Sequence, residues 1–498
     1  MSRVARPDRV ERLRAVVARG LGLAFDETKS SFLEDVLARG AQHAGRDVEA
    51  YLARLEADPH RELRALAPDL TVGETYFFRN RDQFRALSEV VLPDRMRARA
   101  GERRLRVLSA GCASGEEAYS LAIFVREHVT DPSWDASILA VDVNPAALER
   151  AARATFTPWA LRETTPDVER RWFRVDGRDL QLVDGARERV RFEEHNLVED
   201  DPRLWSEETY DVVFCRNVLM YFTPESSVAV VERIRRSLVP GGYLFLGHAE
   251  TLRGLSSDFH LCHTHGTFYY QRRDRDGVRA DPPPFAPIAP APDVDGTWIE
   301  RIQRASARIE AITSSRPPDA LPPPASPGER ARPDLAPALA LLAEERYADA
   351  LERVGALTAG SAVDSDALLL RAVLLTHGGR LTEAEEACRS ALAVDELDAG
   401  AHYALALCRE GVGDLQGAVE EDQVALYLDG SFAMPRLHLG LLARKAGDRE
   451  TARRELGQAL VLLQREDPSR VLLFGGGFRR EALRALCRAE LEACGGHP

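Results

Sequence analysis

The spacing of apolar residues changes along the chain and predicts segments of different structure. Between residues 8 and about 70, apolar side chains recur at steps of three or four, as at Leu33, Val36 and Leu37, which predicts a small helical unit. From about 76 to 272, apolar runs such as "RLRVLSA", "SILAVDV", "YDVVFC" and "GYLFLG" are separated mostly by helical stretches. This alternation predicts an α/β domain with a largely parallel sheet that is covered by helices on both faces.

The alternation is interrupted between Trp172 and Phe192. The stretch "WFRVDGRDLQLVDGARERVRF" consists of short polar strands around turns. We therefore expect a small inserted β-subdomain at about 165–195.

Residues 273–335 contain "DPPPFAPIAPAPD" and "RPPDALPPPASPGERARP". Proline resists packing into a core, so this region is predicted to be a linker. Between the two segments, Trp298, Ile299 and Ile302 begin an apolar helical stripe. That stripe fits either a short helix that docks on a neighbouring domain or a helix that binds a partner.

The carboxyl-terminal part repeats with a period of 34 residues. Gly379, Gly413 and Gly447 are in phase, and alanines and leucines keep the same step. This is the tetratricopeptide period, in which each repeat contributes two helices. We expect an all-α solenoid over 336–498 with a terminal capping helix.

Composition narrows the function classes. A net charge of −13 and a pI near 5.5 argue against a nucleic-acid partner, because duplex binding relies on many Lys and Arg contacts to phosphates. No segment approaches the roughly 20 apolar residues of a membrane span, so we expect no membrane insertion.

The seven cysteines are dispersed without a CxxC pair, which indicates a reduced, cytoplasmic protein. The cluster in "FHLCHTHG" precedes a strand whose alternation would separate its members, and no metal site is expected.

The candidate chemistry lies in "SAGCASGEEAYSLA", which leads from a strand into a helix. Nucleotides bind at such turns in doubly wound sheets, but GxGxxG is missing, which disfavours a dinucleotide oxidoreductase. Glu116 and Glu117 follow the turn, where they would repel phosphates, and Asp142 ends the next strand, where it can accept bonds from ribose hydroxyls. S-adenosylmethionine fits this pattern because it is a cationic adenosine without phosphates. The alternative is that the acids only stabilise the first turn of the helix.

The motifs "TVGETYFFRN", "SAGCASGEEAYSLA", "EEHNL", "FCRNVLMYF" and "LVPGGYLFLGHAE", in this order, resemble the chemotaxis receptor methyltransferase family, CheR, over residues 1 to about 272. The resemblance implies a helical domain at 1–75 and a Rossmann-like class I methyltransferase domain at 76–272 that contains the β-subdomain. It also implies transfer of the methyl group of S-adenosylmethionine to glutamates of methyl-accepting chemoreceptors, in their cytoplasmic helical domain. The products would be glutamyl γ-methyl esters and S-adenosylhomocysteine.

The resemblance also assigns residues. Arg79 and Tyr221 match the pair beside the methyl acceptor. Cofactor-binding positions fall on Gly73, Thr75, Arg79, Gly111, Glu117, Asp142, Asn196, Leu197, Arg216 and Asn217. At Gly73 this chain departs from the family, which usually has asparagine there, so one amide contact to the cofactor is lost.

The implied chemistry needs no general base, because a glutamate with a pKa of about 4.3 is already an anionic nucleophile at neutral pH. The protein must position that carboxylate, which suits an arginine fork. The loop "DGARE" is short, which predicts no tether for a receptor tail peptide. The repeats are expected to bind an unidentified protein partner or to regulate the enzyme. An alternative is a catalytically weak scaffold in which the methyltransferase fold only displays the repeats.

Overall fold

The computed structural model describes residues 9–248, 250–273, 335–344, 346–358, 364–475 and 478–495. The chain divides into two compact units, Met1–Ala280 and Asp281–Pro498. The expected helix that begins near Trp298 lies outside the described residues. Within the described ranges, no helix combines the length and apolar character that crossing a membrane requires.

The first unit begins with four helices that share one apolar core. Their bounds are Arg9–Leu21, Ser30–His43, Val48–Ala57 and Pro59–Leu70. Leu13, Leu33 and Leu52, at the predicted helical spacing, are fully buried between them. The third helix is capped by Asp47, whose Oδ1 accepts a hydrogen bond from the Ala50 N–H at 2.9 Å. Burial of these apolar faces holds the helices together.

A mostly parallel sheet follows, and it confirms the predicted Rossmann-like class. Its seven strands lie in the order β6-β2-β1-β7-β8-β10-β9, and β10 runs in the direction opposite to the other six. The strand bounds are Arg104–Ala110 (β1), Asp135–Asp142 (β2), Thr155–Phe156 (β3), Phe173–Asp176 (β4), Asp179–Leu182 (β5), Val190–Glu194 (β6), Tyr210–Cys215 (β7), Leu238–Leu246 (β8), Phe259–Thr264 (β9) and Thr267–Arg272 (β10). The accompanying helices are Arg81–Ala86, Leu92–Ala98, Glu116–His128, Pro145–Arg153, Pro166–Trp172, Asp184–Arg187 and Pro224–Ser237. The order of β2, β1 and β7 brings the loops after these strands to one edge, where ligands bind in such sheets.

The inserted β-subdomain is a separate sheet of three strands in the order β3-β5-β4. One strand differs from the expectation: Val190–Glu194, which the sequence placed in the subdomain, pairs with β2 in the large sheet. Its polar alternation fits an edge strand of either sheet, and only the pairing of Phe192 with Ala140 decides between them. The loop "DGARE" contains the helical turn Asp184–Arg187, which joins the two sheets.

The second unit is built from helix pairs, as the 34-residue period predicts. The pairs are Ala336–Ala343 with Tyr347–Thr358, Ser365–His377 with Leu381–Val394, Ala399–Gly411 with Leu415–Leu428, and Ala433–Lys445 with Arg449–Leu462. The last three pairs begin at 365, 399 and 433, one period apart. Gly379, Gly413 and Gly447 have φ of 69°, 88° and 82°, a conformation that L side chains avoid, in the turn within each pair. Two further helices, Pro468–Phe474 and Arg480–Ala493, complete the unit.

Candidate active site

The turn after β1 depends on a glycine. Gly111 has φ of 81°, and a Cβ placed on it would lie 2.4 Å from Cγ2 of Val218. The backbone N–H groups of Gly111 and Cys112 donate to the Val141 carbonyl at 2.8 and 3.0 Å, which fixes the turn against β2. The loops after β1 and β7 therefore touch, and only glycine permits that approach.

The two acids after this turn point to different partners. Glu117 Oε1 accepts from the Ser109 hydroxyl at 2.7 Å, and its Oε2 lies 3.1 Å from Nε of Arg216. Glu116 instead accepts from the hydroxyl of Ser114 at 2.7 Å and is buried. Glu116 lies outside the lining of the two cavities described below, and its hydrogen bond to Ser114 fits the alternative in which this acid stabilises the first turn of its helix.

Arg216 is the centre of a buried polar chain. Its side chain is 4% exposed, and Nη1 donates to Oε1 of Gln83 at 2.9 Å. Gln83 in turn donates from Nε2 to the Leu246 carbonyl at 2.8 Å. Burial raises the pKa of the Glu117 carboxyl, and the charge of Arg216 opposes that rise. The ion pair between Glu117 and Arg216 holds Arg216 in place, and the two opposite charges largely cancel there.

A residue to which the sequence analysis assigned no role organises the loops after β7 and β8. Glu250 is 4% exposed, and its Oε2 accepts from the N–H groups of Asn217 at 2.6 Å and Gly247 at 2.7 Å. Its Oε1 accepts from the N–H groups of Val218 at 2.8 Å and Met220 at 3.2 Å. One buried carboxylate thus satisfies four backbone donors. The only sequence signal was its place in "GHAE", at the end of a family motif.

Asp142 ends β2 and faces the same edge of the sheet. Its Oδ2 accepts from the Ala113 N–H and its Oδ1 from the Asn144 N–H, both at 2.8 Å. Burial raises the pKa of this carboxyl, and the backbone hydrogen bonds oppose that rise. Each carboxylate oxygen retains a second lone pair, so the group can still accept a ligand hydroxyl.

A cavity of about 490 Å³ lies between the amino-terminal helices and this edge of the sheet. Its lining includes the carboxylates of Asp26, Asp69 and Asp142 and one ammonium, that of Lys29. The predicted site residues that line it are Gly111, Asp142, Asn196, Leu197, Asn217 and Tyr221. The size lies within the usual range for small-molecule sites, and the excess of carboxylates suits a cationic nucleoside without phosphates. The residues present therefore fit S-adenosylmethionine.

A second cavity of about 360 Å³ shares Asn217 with the first. Its lining is Tyr76, Arg79, Asn80, Gln83, Arg216, Asn217, Gly247 and His248. Nη1 of Arg79 donates to the Glu74 carbonyl at 3.3 Å, and its guanidinium lies 5.7 Å from the ring centre of Tyr76. Within the described part of the chain, Arg79 makes no ion pair with a carboxylate, whereas Arg216 is already paired. The second cavity therefore offers to an anionic group one guanidinium that is not already held in an ion pair.

Known proteins match this architecture. A family model described as CheR methyltransferase, SAM binding domain, matches residues 73–268. "Chemotaxis protein methyltransferase 2" of Vibrio cholerae is 37% identical over 247 residues, which are 48% of this chain and 84% of that relative. The chain belongs to the CheR methyltransferase family. "Probable biofilm formation methyltransferase WspC" of Pseudomonas aeruginosa is 30% identical over 456 residues, which are 90% of this chain and 96% of that relative.

As a CheR-family protein, the chain is an S-adenosylmethionine-dependent methyltransferase. The structure places the predicted pair Arg79 and Tyr221 on different cavities: Arg79 lines the second, and Tyr221 lines the first and is 37% exposed. Asn217, with φ of 58°, lies on both cavities.

For three other predicted cofactor positions, the structure shows a different contact or a place outside the cavity linings. The Asn196 amide donates to the Gly20 carbonyl at 2.7 Å, so it ties the sheet domain to the first helix. Gly73 is exposed and Thr75 is half-buried, and both lie outside the lining of the two cavities. Among the described residues, no three His, Cys, Asp or Glu side chains are grouped as metal ligands.

Proposed function

We propose that this CheR-family enzyme methylates glutamate side chains of methyl-accepting chemoreceptors, forming γ-methyl esters and S-adenosylhomocysteine. The observation that carries the proposal is that Arg79, which makes no ion pair with a described residue, lines a cavity that adjoins the cofactor cavity at Asn217. An acceptor that is planar, anionic and small fits that cavity, and a carboxylate has all three properties.

The proposed chemistry requires positioning more than proton transfer. When bound, S-adenosylmethionine supplies a methyl group made electrophilic by its sulfonium. The acceptor carboxylate forms the new O–CH3 bond while the sulfur keeps the electrons of the broken bond, so no proton moves. Arg79 orients the carboxylate, and the Glu117–Arg216 pair keeps a second free cation from weakening the nucleophile.

The cofactor would be held by residues of the first cavity. Asp142 is proposed to accept from ribose hydroxyls, and Gly111 to allow close approach of the backbone. Glu117 would act indirectly, because its ion pair with Arg216 holds that guanidinium in place at the edge of the sheet. Through the family resemblance, Tyr221 remains assigned with Arg79 to the methyl acceptor. The other positions that the resemblance assigns to the cofactor are Gly73, Thr75, Arg79, Asn196, Leu197, Arg216 and Asn217.

The names of the relatives support the choice of substrate. Several are named chemotaxis protein methyltransferases, and the relative that aligns with 90% of this chain is named for biofilm formation. Chemoreceptors that operate in chemotaxis or in biofilm formation are therefore the candidate substrates. A cytoplasmic location, where such receptors expose their helical signalling domains, belongs to the same proposal.

The test is to incubate the full chain with methyl-labelled S-adenosylmethionine and cytoplasmic receptor fragments and then to treat the product with alkali. A γ-methyl ester releases its label as methanol, so alkali-labile label on glutamate is expected. Arg79→Lys should lower kcat/KM at least about tenfold while S-adenosylhomocysteine still binds, because lysine lacks the planar fork. Arg85→Lys, at an exposed pair with Glu89, is the control and should match the wild type. Absent or alkali-stable label would contradict the proposal, and absent label with bound S-adenosylhomocysteine would favour the scaffold.

A further inference from the structure

The helix Pro468–Phe474 does not continue the stack of helix pairs. It packs against Ala336–Ala343 and Ser365–His377, which are the first helices of the first two pairs. The final helix, Arg480–Ala493, instead packs on Arg449–Leu462, next to the last pair. After the last helix pair, the helix Pro468–Phe474 therefore returns to the first two pairs, and Arg480–Ala493 then caps the end of the repeats.

The segment is anchored by an aromatic side chain. Phe474 is 7% exposed, and its ring centre lies 5.1 Å from that of Phe432 and 5.8 Å from that of Tyr403. A Cβ placed on Gly400 would lie 2.6 Å from Cζ of Phe474. The absence of a side chain at Gly400 thus makes room for this ring on the helix Ala399–Gly411.

Polar contacts fix the direction of the same segment. Nη2 of Arg470 lies 3.0 Å from Oδ2 of Asp429, and its guanidinium is 4.2 Å from the Phe432 ring centre. Glu466 Oε2 accepts from the Ala433 N–H at 2.7 Å, at the start of the last repeat. The surface beneath thus recognises an arginine and, four residues later, a phenylalanine.

The helix Pro468–Phe474 does not fill all of the space on the surface that it contacts. A cavity of about 400 Å³ remains beside the segment. Its lining includes the apolar side chains of Leu342, Val471 and Leu472 and the charged side chains of Arg479, Arg480 and Glu481. Leu472 is 37% exposed, whereas Val471 is 7% exposed. The chain's own segment therefore covers only part of a partly apolar surface that extends toward the first pair.

We propose that the first helices of the repeats form a peptide-binding groove and that Pro468–Phe474 occupies it in cis. The partner is a short amphipathic helix of another protein. It carries an arginine, an apolar residue directly after the arginine, and a phenylalanine four positions after the arginine, as in Arg470, Val471 and Phe474. Additional apolar residues in the partner fill the cavity that the chain's own segment leaves. A tethered segment competes at an effective concentration on the order of millimolar, so the partner binds only by displacing it.

The test uses the full chain and a fluorescent synthetic peptide of residues 464–475. Phe474→Asp places a charge where the aromatic anchor was, so it should free the groove. The peptide should then bind this variant at least about tenfold more tightly than the wild type, measured by fluorescence anisotropy. Ser469→Asp is the matched control, because its side chain is exposed and lies outside the lining of that cavity, and it should behave as the wild type. Adding Gly400→Ala to Phe474→Asp should abolish peptide binding, because the new methyl group fills the place of the ring.

Circular dichroism establishes that each variant is folded. If Phe474→Asp unfolds, Arg470→Ala replaces it. It removes the contacts with Asp429 and Phe432 and the ion pair with Glu466, and it should raise peptide affinity several-fold. Equal peptide binding by wild type and a folded release variant would overturn the proposal. Retained binding after Gly400→Ala would do so as well.

Discussion

Replacing Glu250 with glutamine removes one of the two carboxylate oxygens that hold the loops after β7 and β8. Whichever way the new amide turns, its NH2 group faces two backbone N–H donors, either those of Asn217 and Gly247 or those of Val218 and Met220. Each lost hydrogen bond to a buried charged group is worth at least about 1.5 kcal/mol. The loss is therefore about 3 kcal/mol, and in either orientation at least one lost hydrogen bond belongs to the loop that carries Asn217, where the two cavities meet.

Hydrogen exchange and calorimetry measure this effect. Backbone amides 217–220 should exchange about a hundredfold faster in Glu250→Gln, since 3 kcal/mol corresponds to about two powers of ten. The affinity for S-adenosylhomocysteine should fall at least tenfold. Glu225→Gln, at an exposed position in the first turn of Pro224–Ser237, is the control and should change neither quantity. Unchanged exchange and affinity in Glu250→Gln would refute the role that we assign to this carboxylate.

Three further predictions concern glycine, acid and histidine positions. Gly111→Ala should lower the free energy of unfolding by about 2–4 kcal/mol in urea titrations, against about 1 kcal/mol for Gly45→Ala, which shares a positive φ but has no neighbour within 4 Å. Glu117→Gln should weaken S-adenosylhomocysteine binding at least tenfold because Arg216 loses its partner, whereas Glu116→Gln should change it less than twofold; equal effects would contradict the separation of the two acids. Burial lowers the pKa of His438, but two neighbouring carboxylates outweigh it and raise that pKa overall, so the stabilising charge is complete below about pH 6.5 and is lost as the pH rises. Thermal unfolding of the repeats should therefore occur at lower temperature at pH 9 than at pH 7, and His438→Gln should flatten that dependence.

The fold was predictable where the sequence repeats a local rule. Gly379, Gly413 and Gly447 occupy turns that require positive φ, so their spacing translated directly into helix pairs. Val190–Glu194 was misplaced because strand alternation specifies a pleated surface and not the partner strand. Pairing is a long-range property, and a short edge strand carries few residues to encode it.

The candidate site was predictable only in part, for a similar reason. Asp142 and Gly111 lie at the ends of strands, where the topology brings ligand-binding loops together, and both line the larger cavity. The role of Glu250 depends on four N–H groups from two loops that meet only in three dimensions. The separate directions of Glu116 and Glu117 follow from helix geometry, since adjacent residues point about 100° apart.

The groove occupied by Pro468–Phe474 could not be predicted from the sequence. An apolar run such as "VLLF" predicts burial but does not identify the surface that buries it. The repeats were expected to bind an unidentified partner, and the contacts of Phe474 and Arg470 give that expectation a specific chemistry.

A crystal structure of the full chain with S-adenosylhomocysteine would locate the cofactor relative to Arg79. We expect the ribose hydroxyls within hydrogen-bond distance of Asp142 and the sulfur beside Asn217, facing the cavity that contains Arg79. A ligand whose sulfur points toward Lys29, away from Arg79, would show that Arg79 does not position the methyl acceptor, and a ligand bound outside the larger cavity would show that Asp142 does not hold the ribose.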